Sequence, residues 1–361
     1  MLQPQKISER LRGTRRIYER NPPTLIIRVW HIMNGSLFVS IIALLISVSS
    51  FASRLFYDIP DHSSLFFALG FLSVVFPLAH VPGYRERYMD VSESAMAAAQ
   101  ALERQVNQKQ MQKIIKLTLN SRILVLLLFV DICLGPVMYW VLPLLRHAHL
   151  APMPFIPDGP IYFWSMYLVQ SVVLTMGPLA AFSFLAYHLE LTLCLSCMNN
   201  ILGERFQKVS TQEIVKELIR IHQLLLNSSK KFEQLFSQVW FWVLFSILSM
   251  LIVNTYLIIS VSFQVFLLSF IATFFFFLSE PCILGEMVTR SSAKIGFSAY
   301  ESDWVYTVPE SRKDLSLVIL RSQRPVSLTA GLIGKLDLPK LMSFMKNWYK
   351  FVQALSNFSY A

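Results

Sequence analysis

The chain has 361 residues, of which 54% are hydrophobic and 15% are charged, and its net charge is +10. About a quarter of the residues in a soluble domain are charged, so this composition excludes an ordinary soluble protein and indicates several membrane spans. The positive excess of a membrane protein lies mainly in its cytoplasmic loops, which makes nucleic acid a poor candidate partner.

The first part of the chain predicts three membrane spans. Its arginine-rich N-terminus lacks the apolar region and cleavage site of a signal peptide, so we expect it to stay in the cytoplasm. Apolar runs at 32–51 and 64–81 each approach the roughly 20 residues that a span requires. A charged, alanine-rich helix is expected within residues 84–119. The third span, 121–145, contains Asp131, which is either a functional group or a structural residue facing a protein neighbour or a water pocket.

The middle of the chain predicts three more spans. The charge-free stretch 159–187 is longer than a bilayer core and is expected to tilt or to project from it. Residues 203–233 are charged and helical in pattern. The next 46 residues, 234–279, carry no charge and are long enough for two spans with a turn near 260–262. Because Lys and Arg are concentrated in the N-terminus and after the second, fourth and sixth spans, the N-terminus is predicted to be cytoplasmic.

The last apolar segment, 340–357, has the pattern of an amphipathic helix. Its polar residues recur at three- and four-residue spacing and therefore share one face. They are Ser343, Lys346, Asn347, Lys350, Gln353 and Asn357. Two interpretations stay open, because periodicity does not separate them. In the first interpretation, the polar face lines a water-filled path through the membrane. In the second, the helix lies flat on a membrane surface.

The motifs of common enzymes are missing from the sequence. There is no P-loop, dinucleotide glycine fingerprint, nucleophile elbow or metal-binding helix motif. The histidines are scattered, and Cys194 and Cys197 form a lone CxxC without a second ligand pair. We therefore predict no catalytic residue, no cofactor and no metal site, which leaves a receptor, a channel or a structural subunit.

A set of short motifs follows residue 280: Gly285-Glu286, Ser291-Ser292 and residues 299–304, 312–315, 321–325 and 328–331. The first three are similar to the segment that leaves the sixth span in the insect odorant receptor family, and the others resemble the cytoplasmic part of its seventh helix. Trp348 and Tyr349 stand where that family has an aromatic pair, and residues 153–155 resemble its second extracellular loop. The match is dense after residue 280 and loose before it.

This resemblance implies an all-α, seven-transmembrane helical bundle that acts as an odorant-gated, non-selective cation channel. It implies a ligand-sensing bundle at 1–280, and a cytoplasmic anchor segment with a pore-lining seventh span at 281–361. It also implies a tetramer with a shared coreceptor, in the lipid of the plasma membrane of an olfactory neuron dendrite. The pore residues expected from it are Lys346, Lys350, Val352, Gln353 and Asn357, with the constriction at 352–357. Positive charge near a cation path favours a heteromer over a homotetramer.

The resemblance further implies a pocket for a small volatile odorant in the outer half of the bundle. Aromatic residues and methionines would form its adaptable apolar walls, and a few polar groups would orient the ligand. The residues selected are Phe66, Phe67, Gly70, Gly135, Met138, Tyr139, Phe163, Met166, Tyr167, Gln170, Phe266 and Phe270. For each of them, helix packing is the alternative role.

Three other functions stay open at this point. An insect gustatory receptor would also be a seven-helix ligand-gated channel, but typically a homomeric one. A G-protein-coupled receptor would have its N-terminus outside the cell, where an N-terminal epitope tag is accessible. A membrane scaffold would bind no ligand.

Overall fold

The computed structural model describes residues 7–9, 11–12, 41–46, 48, 84–105, 159–209, 211–260 and 265–359. These parts of the chain are helical, apart from short turns and one isolated bridge between Thr329 and Lys335. The prediction of an all-α fold is confirmed for the described residues. The proposed spans at 64–81 and 121–145, and Asp131 with them, lie outside those residues.

Six α-helices longer than ten residues are described. They are α1 (Arg85–Gln105), α2 (Pro160–Phe206), α3 (Gln212–Ser260), α4 (Val265–Tyr300), α5 (Pro309–Ser322) and α6 (Leu338–Ser359). A 3-10 turn at Trp304–Tyr306 joins α4 to α5, and another at Gly331–Ile333 lies before α6.

Two of the helices are much longer than a membrane is thick. With 47 and 49 residues, α2 and α3 extend about 70 Å and 73 Å at 1.5 Å per residue, whereas a hydrocarbon core measures about 30 Å. The charged helical pattern at 203–233 is divided between the end of α2 and the start of α3. From Gln212 to Ser260 α3 contains no glycine or proline, so the charged and the apolar parts form one helix. Its end and the start of α4 flank the predicted turn near 260–262.

Aromatic side chains fill the core between α1, α2 and α3. The ring of Phe184 lies 5.2 Å from the rings of both Phe236 and Trp240, and Tyr88 and Tyr187 meet edge to face at 4.9 Å. The Tyr187 hydroxyl donates a hydrogen bond of 2.9 Å to the Tyr88 carbonyl. The rings therefore add directional contacts to their apolar burial and fix how these helices are rotated.

A connecting strap, residues 323–337, joins α5 to α6 and is held on α3 by a chain of hydrogen bonds. The Gly331 N–H donates to Ser237 Oγ at 3.1 Å, and that hydroxyl lies 2.8 Å from Thr329 Oγ1. In turn, Thr329 Oγ1 donates to Glu233 Oε1. The strap is thus fixed immediately before the start of α6.

The strap also lies directly against the backbone of α4. A Cβ atom placed on Gly285 would overlap the carbonyl oxygen of Leu336. Only glycine allows so close an approach between a helix and a neighbouring backbone. This contact sets the separation between α4 and the residues that lead into α6.

We expect Gly285→Ala to destabilise the protein, because the new methyl group forces the strap away from α4. Overpacking of this kind typically costs about 1–3 kcal/mol. Thermal unfolding of the detergent-solubilised protein measures the loss. The matched control is Gly159→Ala, whose Cβ would meet its nearest neighbour, Tyr162 Cδ2, at an ordinary 3.5 Å. Equal unfolding temperatures for the two variants would contradict the close packing described here.

Candidate functional site

The last helix begins at a local capping signal. The Asp337 carboxylate accepts a hydrogen bond of 2.9 Å from the Lys340 N–H, as an N-cap residue does, and Pro339 occupies the first turn, where its missing N–H costs nothing. The helix predicted at 340–357 is confirmed and runs from Leu338 to Ser359.

Trp348 holds α6 against α3 and α4. Its indole Nε1 donates a hydrogen bond of 3.0 Å to Thr255 Oγ1 in α3. The same hydroxyl donates to the Leu251 carbonyl at 2.7 Å, so both of its roles, donor and acceptor, are used. The Trp348 ring meets the Phe275 ring of α4 edge to face at 4.8 Å. We call this set of contacts the Trp348 clamp.

The polar face of α6 is on the side opposite the clamp. Successive side chains of an α-helix are about 100° apart, so Lys346 and Lys350 each point about 160° away from Trp348. All six polar residues of the predicted face are exposed. Val352 is only half-buried and lies on the clamp side, about 40° from Trp348.

Of the three lysines in α6, Lys346 and Lys350 lie on the polar face, and neither has an acidic partner in the part of the chain that the structure describes. The ion pair nearest to them in sequence joins Lys335 to Asp337 at 3.6 Å, before the helix begins. The helix itself contains no Asp or Glu. The exposed side of the helix therefore carries the positive charge of Lys346 and Lys350 among uncharged polar residues, with Met342 and Tyr349 also exposed.

Four of the predicted ligand residues are described together, on the first turns of α2. Phe163, Met166, Tyr167 and Gln170 follow the spacing i, i+3, i+4, i+7 and share one face. The rings of Phe163 and Tyr167 are nearly parallel, with centroids 6.4 Å apart, and Gln170 is only 3% exposed. The opposite face of the helix carries exposed apolar side chains such as Leu168.

The other predicted ligand residues are not brought together here. Phe266 and Phe270 belong to the first turns of α4, where the structure describes the backbone. Six more lie outside the described residues: Phe66, Phe67, Gly70, Gly135, Met138 and Tyr139.

A buried polar pair that the sequence did not predict joins α2 to α4. His188 Nδ1 lies 3.3 Å from Glu280 Oε1, and both side chains are almost fully buried. The His188 ring also packs on Phe232 and Trp240 of α3, with centroid distances of 5.3 and 4.9 Å. In the sequence, His188 directly follows the charge-free stretch 159–187, and Glu280 directly follows the charge-free run 234–279. Aromatic packing on the histidine suits a structural role.

We expect Thr255→Val to weaken the clamp, because valine keeps the shape but cannot accept the Trp348 hydrogen bond. This contact is partly buried, so the donor left without its partner costs about 1 kcal/mol, the low end of the range for buried groups. The measurement is thermal unfolding in detergent, with Thr255→Ser as the control that retains the hydroxyl. If the valine and serine variants unfolded at the same temperature, the hydrogen bond would not contribute to holding α6 in place.

Comparison with known proteins identifies similar chains. A family model described as 7tm Odorant receptor matches residues 84–349. Odorant receptor 67a of Drosophila melanogaster is 31% identical over 74 residues, which are 20% of this chain and 18% of that protein. Odorant receptor 47b of the same species is 26% identical over 211 residues, 53% of this chain and 50% of that protein. The chain thus spans half or less of the length of these curated relatives.

Solved structures of similar fold cover almost the whole chain. The insect olfactory receptor OR5 from Machilis hrabei matches with a TM-score of 0.75 at 15% identity, over 96% of both chains. The structure of the same receptor in complex with eugenol matches with a TM-score of 0.74 at 14% identity, over 97% of this chain and 96% of that one. This likeness confirms the predicted seven-transmembrane fold. Among the described residues, the segment Gln212–Tyr256 is long and apolar enough to cross a membrane.

Proposed function

Because this chain belongs to the 7tm odorant receptor family, a family of insect transmembrane receptors in olfaction and not of enzymes, we propose that it is the tuning subunit of an odorant-gated, non-selective cation channel. In this proposal the subunit assembles with a coreceptor into a heterotetramer in the plasma membrane of an olfactory neuron dendrite. The observation that carries the proposal is the exposed polar face of α6, opposite the Trp348 clamp.

The position of the clamp supports a membrane-spanning α6. Thr255 and Phe275 both lie within the charge-free run 234–279, and Trp348 contacts both of them. A helix lying flat on the membrane surface would not reach side chains that lie within two apolar spans. With 22 residues, α6 is about 33 Å long, which is enough to cross the hydrocarbon core.

The polar face supports a conduit between subunits. A lysine in the centre of a membrane-spanning helix costs about 2.5–3.5 kcal/mol when it faces lipid. The cost is avoided when the face meets water, as in a channel lining. One α6 helix provides only one wall, so several subunits are needed to enclose the path. The lining residues in this proposal are Lys346, Lys350, Gln353 and Asn357, with the constriction at 352–357. Val352, the fifth predicted pore residue, lies on the clamp side, so the polar residues of this segment would form the constriction.

The orientation and the division of the chain follow from the same proposal. A cytoplasmic N-terminus agrees with the concentration of Lys and Arg on one side of the spans. Residues 1–280 would sense the ligand, and 281–361 would form the cytoplasmic anchor and the pore-lining helix. The strap belongs to the second part, and its hydrogen bonds to Glu233 and Ser237 would attach that part to the first.

The odorant would bind in the outer half of the bundle. On α2, Phe163, Met166 and Tyr167 offer an adaptable apolar wall, and Gln170 offers a buried polar group that fixes the orientation of a ligand. A volatile molecule has few atoms, so its affinity is modest even with an efficient fit. Since Phe275 of α4 touches Trp348, a displacement of α4 by the odorant would reach α6 directly.

We expect cells that express this chain with a coreceptor to give cation currents in response to at least one member of an odorant panel. Whole-cell recording is the measurement, and cells that express the coreceptor alone are the control for its own response. An N-terminal epitope tag should be accessible only after permeabilisation. Surface assembly without any odorant-dependent current would contradict the proposed function, and a full current from this chain alone would contradict the heteromer.

We expect Gln170→Leu to reorder the odorant responses while leaving surface assembly intact. A lost hydrogen bond of about 1–1.5 kcal/mol raises the half-maximal concentration up to about tenfold for odorants that use it. Odorants without a polar group should change little. The control is Leu168→Ala, two residues away on the exposed face of α2. If both variants ranked the odorants in the same order, the result would contradict the proposal that Gln170 lines the odorant pocket.

A further inference from the structure

We propose that Lys346 and Lys350 form a valence filter, which lets monovalent cations through the conduit more readily than divalent ones. This inference rests on the proposed function, since it assumes that α6 lines a cation path. It goes beyond that function by assigning an ion preference to two residues of this chain. The ions concerned are hydrated alkali and alkaline-earth cations.

The Trp348 clamp fixes the direction in which the two lysines point. Trp348 is held from two sides, by Thr255 of α3 and by Phe275 of α4, so α6 cannot rotate without breaking both contacts. Each lysine is two residues from Trp348 along the chain and therefore about 160° around the helix from it. Both side chains consequently leave the helix on the side away from α3 and α4, which Trp348 contacts.

The depth of the two lysines places them in the central part of the helix. Counted from Leu338 at 1.5 Å per residue, Lys346 lies about 12 Å and Lys350 about 18 Å along a helix of about 33 Å. Asn347 lies between them and Gln353 follows them, with polar side chains too short to extend from this depth to the lipid headgroups, whereas Asn357 lies near the end of the helix. The polar groups of this face can all be hydrated only if water lies along the length of the face.

The positive charges of Lys346 and Lys350 lie close together, and no acidic side chain among the described residues neutralises them. Side chains four residues apart on a helix have their Cβ atoms about 5–6 Å apart. No acidic side chain in the described part of the chain pairs with either ammonium group. A passing cation therefore meets the two charges one after the other, about 6 Å apart along its path.

The repulsion depends on the charge of the passing ion. Coulomb energy is proportional to the product of the charges, so a divalent cation meets twice the barrier of a monovalent one at the same distance. If the lysines lower the occupancy of a monovalent ion about threefold, they lower that of a divalent ion about ninefold. Monovalent current persists while calcium entry is selectively reduced.

The test compares calcium and sodium permeability in the heteromer of this chain with its coreceptor. Reversal potentials of the odorant-evoked current are measured with calcium or sodium as the main external cation. We expect Lys346→Gln with Lys350→Gln to raise the calcium-to-sodium permeability ratio about threefold. The single variants should each give a smaller increase, and they replace the double variant if it does not reach the surface.

Two controls separate charge from other effects of substitution. Lys346→Arg with Lys350→Arg keeps both charges and should keep the wild-type ratio. Lys313→Gln removes one charge at an exposed position of α5, outside α6, and should also leave the ratio unchanged. An unchanged ratio in all the glutamine variants of α6 would overturn the valence filter. The absence of odorant-evoked current in the wild type would instead overturn the proposed function.

Discussion

The hydrogen bond from Trp348 to Thr255, with the ring contact on Phe275, fixes the rotation of α6 about its own axis. The function of an amphipathic helix depends on what each of its faces contacts. In α6 a single side chain, Trp348, determines which face packs on the protein, because it contacts both α3 and α4. The polar residues, including Lys346 and Lys350, then face away from α3 and α4.

The start of α6 is fixed separately, by the strap. Hydrogen bonds from Gly331 and Thr329 hold the strap on α3, and the missing side chain of Gly285 lets it touch the backbone of α4. The helix is therefore held at its first turn and again at its middle. Both attachments involve α3 and α4, so these two long helices carry any movement of the bundle to the last one.

The sequence was informative wherever the relevant pattern is local. Three- and four-residue spacing predicted the polar face of α6, and the charge-free run to Ser279 predicted the end of one helix and the start of the next near 260. Contacts between distant residues were not predictable in this way. Thr255 and Trp348 are 93 positions apart, and His188 and Glu280 are 92 apart. Periodicity left the environment of the polar face open, because that environment depends on what the opposite face binds.

The uninterrupted course of α3 has a consequence for how such a chain can diverge. This one helix presents Lys231 to α1, Phe232 to His188 of α2, Ser237 to the strap and Thr255 to α6. Insertion or deletion of a single residue between these positions would turn every later partner by about 100° and shift it by about 1.5 Å. No loop within the helix can absorb such an error. Homologous sequences should therefore differ in α3 by replacement of residues, while changes in length accumulate in the connections at its ends.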